Sequence, residues 1–191
     1  PMHLHARQSI QALERGIHVL SEVTAGVTLD ECRALVRAAA RSKGTYMMAE
    51  NYTYRRPNAV IRAMVGQGMF GTPYYAEGEY LHEIKAYCDK TPWRRTWQMG
   101  IDGITYVTHS LGPILQWFPG ERVTSVCCAG AGRRHRDAGG EPLHQASPVM
   151  LGRMSGGGLV KIRVDLVSDR PHAMTNYQLQ GTDGCYESAR A

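Results

Sequence analysis

From Pro1 to Glu50 the chain alternates helical and extended apolar patterns, and that alternation constrains the fold more than any other feature. Leu4, Ile10 and Leu13, with Ala6 and Ala12, recur on one helix face and give way at Gly16, a residue favoured just past a helix end. Ile17-His-Val-Leu-Ser-Glu22 then reads as a short strand. Thr28-Leu-Asp-Glu31 has capping-box spacing, and Cys32, Leu35, Val36 and Ala39 continue at helical intervals as far as Lys43-Gly44. Tyr46–Asn51 supplies the next strand. This order implies parallel strands joined by right-handed crossovers, because a parallel partner is reached only by carrying the chain back over the sheet. The expected class for this part is α/β, half of a Rossmann-type, doubly wound parallel sheet.

The pattern then changes. Pro57 suits the first turn of a helix running to Gln67, with Val60, Ile61, Met64 and Val65 on its apolar face. Strands are expected at Thr72–His82, Arg122–Ala129, Val149–Met154 and Leu159–Val167, with a helix around Ile104–Phe118 and a hairpin turn at Gly156-Gly-Gly158. Strands outnumber helices here, so the second part reads as α+β with a largely antiparallel sheet. The expected division is 1–54 and 55–191. The opening at Pro1 and the stop at Ala191, soon after the turn-like Gly181-Thr-Asp-Gly184, read as those of an internal fragment.

Composition narrows the partners. Hydrophobic residues make up 43% and charged residues 20%, an ordinary globular balance, and the longest apolar runs fall short of the ~20 residues that span a bilayer. Neither membrane nor nucleic acid is expected as a partner. Net charge is +5, yet the basic residues are scattered apart from Arg133-Arg134-His135-Arg136, which reads as a solvated loop, and no nucleic-acid-binding motif appears. Cys32, Cys88, Cys127, Cys128 and Cys185 show no C-x-x-C spacing, so reduced thiols and a cytoplasmic setting are expected.

Chemistry concentrates in a few places. Tyr106 and His109 stand three residues apart, which on a helix puts phenol and imidazole on one face. Tyr80 and His82 alternate on a strand and therefore point the same way. Glu50, followed by Asn51, ends a parallel strand where α/β sheets gather ligand groups, and Glu22 holds the matching end of the strand before it. His109 is the preferred base or proton relay, with Tyr106, Tyr80 and His82 as further acids, bases or hydroxyl binders. A core role for His109, a packing role for Tyr80 and an ion-paired role for Glu50 remain open. Trp93-Arg-Arg95 and Trp97 offer ring faces and guanidinium groups to a polar ligand. His82-Glu83 opens like H-E-x-x-H, but position 86 is alanine, and His3 and His5 lie two apart, a spacing that does not share a helix face, so no metal site is expected.

Pro1 with its helix, Gly16-Ile-His-Val-Leu, Glu22, the capped helix and Glu50-Asn51 resemble the later half of the nucleotide domain of the Gfo/Idh/MocA oxidoreductase family. More narrowly, Glu50-Asn51, Gly78-Glu-Tyr80-Leu-His82 and Tyr106-Val-Thr-His109-Ser-Leu-Gly-Pro113 resemble the branch of NAD-dependent α-N-acetylgalactosaminidases. The resemblance implies a nicotinamide cofactor, NAD or NADP with NAD favoured, near Glu22, Glu50 and Asn51. It also implies a sugar or polyol as substrate and a homo-oligomer formed through the antiparallel sheet. Two departures accompany it. The family's glycine-rich pyrophosphate loop does not stand between a strand and a helix here, and Glu22-Val-Thr24 replaces the Glu-Lys-Pro whose lysine serves the dehydrogenases. The implied reaction is hydride transfer at a sugar carbon, either as net oxidation or as the transient step of a glycosidase. An inactive binding or assembly module is the third expectation.

Overall fold

The structure is a computed structural model that describes residues 1–170 and 174–189. Contacts divide the chain into two compact units, Pro1–Glu50 and Asn51–Ala191. The division falls after Glu50 rather than after residue 54, because Asn51–Tyr54 coils into a 3-10 turn whose Tyr52 is buried in the core of the second unit.

The first unit consists of α1 (Met2–Leu13), β1 (Val19–Ser21), α2 (Leu29–Arg41) and β2 (Tyr46–Met48). β1 and β2 run parallel, Val19 opposite Tyr46 and Ser21 opposite Met48, so each strand is shorter than its apolar run and limited to the residues that pair. The capping box forms: Thr28 Oγ1 accepts from the Glu31 N–H at 3.2 Å, and the Glu31 carboxylate accepts from the N–H groups of Thr28 and Val27 at 3.0 and 2.7 Å. Such a cap is worth about 1 kcal/mol and fixes where α2 starts. Leu13, Leu35 and Ala38 close a small core between the helices, and Ser42 Oγ donates to the Leu13 carbonyl at 2.6 Å. Gly44 has to be glycine, since a Cβ there would stand 2.3 Å from the carbonyl oxygen of Ile17.

The second unit holds α3 (Arg56–Gly66), β3 (Pro73–Leu81), the short helices α4 (Tyr87–Lys90) and α5 (Trp93–Trp97), α6 (Thr108–Leu115), and then β4 (Val123–Ala129), β5 (Val149–Met154), β6 (Leu159–Asp165), β7 (Thr175–Gly181) and β8 (Cys185–Glu187). The six strands lie in the order β4-β5-β6-β3-β7-β8. The central pair β3–β6 is parallel and the other neighbours are antiparallel. Ala76, Gly78 and Tyr80 of β3 and Val160, Ile162 and Val164 of β6 point into one core, as strand alternation requires. Ile114, Trp117 and Phe118 cover that face from α6 and the turn after it, each fully buried and each contributing roughly 1.5–3 kcal/mol.

α6 approaches β3 closely over Gly78, where an added Cβ would lie 2.7 Å from the Ser110 carbonyl oxygen. The helix is shorter than the apolar pattern from Ile104 to Phe118. Residues 103–105 bond elsewhere, the Gly103 N–H to Gln145 Oε1 at 3.2 Å and Thr105 Oγ1 to the Gln98 carbonyl at 2.9 Å, so the chain turns helical only at Thr108. Among the described residues no helix is long and apolar enough to cross a membrane.

Candidate functional site

Five rings meet where the 3-10 turn, the end of β3 and the start of α6 come together. The ring of His109, a buried residue, lies over Tyr52 with centroids 4.1 Å apart and planes tilted by 32°. Its centroid is 5.1 Å from that of Tyr80 and 4.9 Å from that of Tyr106. Tyr80 in turn touches Tyr106 at 5.7 Å and Tyr52 at 5.9 Å. His82, just past the end of β3, bonds through Nδ1 to the Tyr80 hydroxyl at 2.8 Å. When that nitrogen carries no proton, the phenol donates.

The sequence expected Tyr106 on the helix. It lies in the coil before α6 instead, and still meets His109 because Val107 leads into the helix with right-handed helical angles. Tyr52 was not anticipated. Its aromatic character directly after Glu50-Asn51 was the available signal, but a single tyrosine in a turn has no periodicity to mark it. Asn58 of α3 fixes the turn by donating to the Tyr52 carbonyl at 2.8 Å, and Arg55 lays its guanidinium over the Tyr52 ring at 3.9 Å. Tyr177 Oη donates to the His109 carbonyl, joining α6 to β7.

A cavity of about 230 Å³ adjoins this cluster, lined by Tyr80, His82, Ile84, Tyr87, Arg94, Gln98 and Tyr106. No aspartate or glutamate is among these residues. Pockets for drug-sized ligands run to about 300–1,000 Å³, so this one suits a group the size of a single sugar ring. Arg94 Nη1 donates to Gln98 Oε1 at 2.5 Å, and the guanidinium stacks on Trp93 at 4.5 Å. Burial holds the Tyr80 phenol above its ordinary pKa, and the neighbouring phenols of Tyr52 and Tyr106 push the same way, with Arg94 and Arg55 opposing. Tyr80 therefore keeps its proton near neutral pH and is a donor. Arg95, which the sequence grouped with Trp93, Arg94 and Trp97, turns to Asp89 and Asp137.

Glu22 and Glu50 belong to the first unit. Glu22 follows β1, is exposed, and lines an open hollow of about 330 Å³ with His5, Gln8, Ser9, Val19, Leu20 and Ser21. Glu50 follows β2 and is 6% exposed. Asn51 is exposed and opens the 3-10 turn of the second unit. One string, Gly66-Gln-Gly68-Met-Phe-Gly71, spells G-x-G-x-x-G, but it leads from the end of α3 into β3 with Gly68 at φ +74° and Gly71 at +64°. No helix N-terminus follows it to face a phosphate. This string therefore does not build a dinucleotide pyrophosphate cradle. Among the described residues there is no cluster of histidine, cysteine, aspartate and glutamate able to hold a metal ion.

No family model matches the chain. Curated proteins do. A glycosyl hydrolase family 109 protein of Saccharopolyspora erythraea is 30% identical over 208 residues, covering 98% of this chain and 45% of that protein. The chain is a relative of the glycosyl hydrolase family 109 proteins. Glycosyl hydrolase family 109 protein 1 of Shewanella sp. strain ANA-3 is 32% identical over 207 residues, and a protein of Shewanella oneidensis named alpha-N-acetylgalactosaminidase is 30% identical over 207. The chain thus spans about half the length of these family 109 relatives, whose names agree with the branch its motifs resembled. Solved structures share the fold. The WlbA dehydrogenase of Bordetella pertussis, in complex with NADH and UDP-GlcNAcA, superposes with a TM-score of 0.77 at 19% identity, over 98% of this chain and 56% of that one. An inositol dehydrogenase homologue of Azotobacter vinelandii, complexed with NADH and myo-inositol, gives 0.76 at 22% identity, over 98% and 48%.

Proposed function

We propose that the protein in its full length is an NAD-dependent glycosidase that opens a sugar's glycosidic bond through transient oxidation and elimination. The observation that carries this reading is the cavity itself. Phenol, imidazole, guanidinium and amide groups line it, and among the described residues no carboxylate does. Conventional glycoside hydrolysis needs two carboxyl groups flanking the bond, whereas redox-assisted cleavage needs groups that move protons at a sugar hydroxyl and at the carbon beside the oxidised one. The names of the family 109 relatives support the same choice, as do the complexes of the fold neighbours with NADH and sugar-like molecules.

A nicotinamide cofactor held by the full-length protein would supply the acceptor and donor of hydride. The chain's own residues do the rest. Arg94 and Gln98 hold sugar hydroxyl or acetamido groups by hydrogen bonds. His109 takes the hydroxyl proton, and the neighbouring ring of Tyr106 orients it. Tyr80, kept protonated by burial, donates at its hydroxyl and is recharged through His82 Nδ1. Glu22, Glu50 and Asn51 serve the cofactor side, beyond the two parallel strands.

Incubating the full-length protein with an aryl α-N-acetylgalactosaminide and NAD tests the reading. Release of the aryl group without net accumulation of NADH is the expected result. Stoichiometric NADH with no aryl release would instead assign a net sugar dehydrogenase, the reading closer to the dehydrogenases that share the fold. Assembly as a homo-oligomer through the uncovered sheet face belongs to the same proposal. That face presents cross-strand rows such as Cys127, Leu151, Lys161, Glu77 and Gln178, with Lys161 and Glu77 already paired at 2.6 Å.

A further inference from the structure

The connection from β4 to β5, residues 130–148, reaches across to the segment that brings Arg94 and Gln98 to the cavity, and it does so with three side chains. Asp137 takes the guanidinium of Arg95, the neighbour of Arg94 on α5. Arg133 bonds through Nε to Asp102 at 2.9 Å and through Nη2 to the Gly100 carbonyl at 2.8 Å. Gln145 Oε1 accepts from the Gly103 N–H at 3.2 Å. Asp137 is the most economical of these. One of its oxygens accepts the N–H groups of Gly139 and Glu141 at 2.8 and 2.9 Å, closing the loop's own turn, while the other meets Arg95. A single carboxylate thereby makes the shape of the loop and the position of α5 one variable.

α5 has reason to depend on it. The helix is five residues long, begins at Trp93 after Pro92 without a side-chain cap, and is far below the length at which a helix holds itself together in water. Its place is set by tertiary contacts, and Asp89 of α4 shares Arg95 at 3.0 Å but lies on a helix shorter still. The Asp137 side chain is 15% exposed and that of Arg95 37%, so the pair is shielded on the loop side and partly hydrated on the helix side.

We propose that Asp137 is a positioning residue for ligand recognition, holding α5 through Arg95 so that Arg94 and Gln98 keep their places in the cavity wall. The ligand half of this statement rests on the reading of the cavity as a sugar site, whereas the mechanical half does not. Asp137→Asn separates the two functions of the carboxylate, because an amide oxygen still accepts the two backbone N–H groups but no longer pairs with a cation. Arg95→Met removes the pair from the other side and leaves the turn untouched. Arg95→Lys keeps the charge and is expected to lose only part of the effect.

The test is made on the full-length protein with two readouts. Amide hydrogen exchange across residues 93–103 should quicken about tenfold in Asp137→Asn, with exchange in β5 and β6 unchanged. KM for the aryl glycoside should rise about tenfold while kcat stays within about twofold, the signature of lost uniform binding. Arg95→Met should do the same, and it carries the test alone if Asp137→Asn fails to fold. Exchange at 93–103 within twofold of wild type in a folded variant would overturn the proposal, and so would a fall in kcat at unchanged KM. Should the wild-type protein cleave no glycoside, the functional reading fails by itself and exchange alone decides whether the clamp exists.

Discussion

Gly78 offers the most direct check on how the cluster is assembled. Alanine there would gain stability in the unfolded-state balance, since it has fewer conformations to lose, by about 0.4–1 kcal/mol where the native backbone accepts it. Against this stands a Cβ placed 2.7 Å from the Ser110 carbonyl oxygen, 3.0 Å from Ile114 Cδ1 and 3.2 Å from Ile162 Cδ1. The nearest atom is helix backbone and cannot swing aside as a side chain would, so α6 itself must move. Overpacking of this kind costs about 1–3 kcal/mol, which leaves Gly78→Ala destabilised by roughly 1–2 kcal/mol. Gly66 closes α3 and has nothing within 4 Å of its added Cβ, so Gly66→Ala should be neutral or stabilised by up to about 0.5 kcal/mol. Parallel urea titrations with matched m-values give both numbers. Because α6 carries His109, the shift of the helix should also lower kcat in the full-length enzyme. A Gly78→Ala variant as stable as Gly66→Ala would refute the close approach of α6 to β3 and the placement of His109 that depends on it.

Further outcomes follow from the same geometry. Tyr80→Phe removes the hydroxyl bonded to His82 and should cut kcat by about 10²-fold while costing only about 1 kcal/mol of stability, read from kinetics and melting together. His109→Gln should lower kcat by about 10²–10⁴-fold and weaken NADH binding little; wild-type turnover would remove its role. His144 is fully buried, neither ring nitrogen reaches a hydrogen-bond partner of normal geometry, and burial holds its pKa below the ordinary 6.5, with the backbone of Gln145 and Gly103 as a partial offset. The unfolded chain then binds the proton that the folded one refuses, so stability should fall as pH drops below about 6.5, by at most about 1.4 kcal/mol per pH unit from this group, and His144→Gln should flatten that slope in pH-dependent denaturation. Leu151→Glu on the uncovered sheet face should shift the full-length protein toward monomer in sedimentation velocity.

Much of the fold was legible because its elements obey short-range rules. Thr28 and Glu31 satisfy backbone groups within one turn, and the start of α2 could be read from four letters. Ala76, Gly78 and Tyr80 alternate with Tyr75, Glu77 and Glu79, so β3 could be read from its period. β7 gives no strand signal because Thr-Asn-Tyr-Gln-Leu-Gln-Gly is polar in composition. Its place in the sheet comes from its partners, and Asn176 is buried with a hydrogen bond from Ser188 Oγ at 2.5 Å. The short α4 and α5 are illegible for a related reason, being too brief to show a helical period, tied to each other through Asp89 and Arg95 and to the distant Asp137 through Arg95.

The ring cluster divides along the same line. Tyr80 and His82 are legible because a strand's alternation acts over two residues, and that alternation carries one residue past the end of β3, where the His82 N–H still bonds to the Asp165 carbonyl at 2.9 Å. Tyr106 and His109 were paired on the premise of a continuous helix, and the pairing holds for a different reason. Tertiary hydrogen bonds from Gly103 and Thr105 pull the chain out of helical geometry, and the last two residues before Thr108 bring the phenol back beside the imidazole. Tyr52 could not be placed from sequence because its position depends on Asn58, whose side chain answers a carbonyl in a turn. Where a candidate site is built from strand alternation it is readable in advance, and where it is built from side chains that fix irregular backbone it is not. The cavity wall formed by Arg94 and Gln98 is of the second kind. Substitution at its distant support, Asp137, should therefore disturb ligand recognition more than its distance in sequence from those residues suggests.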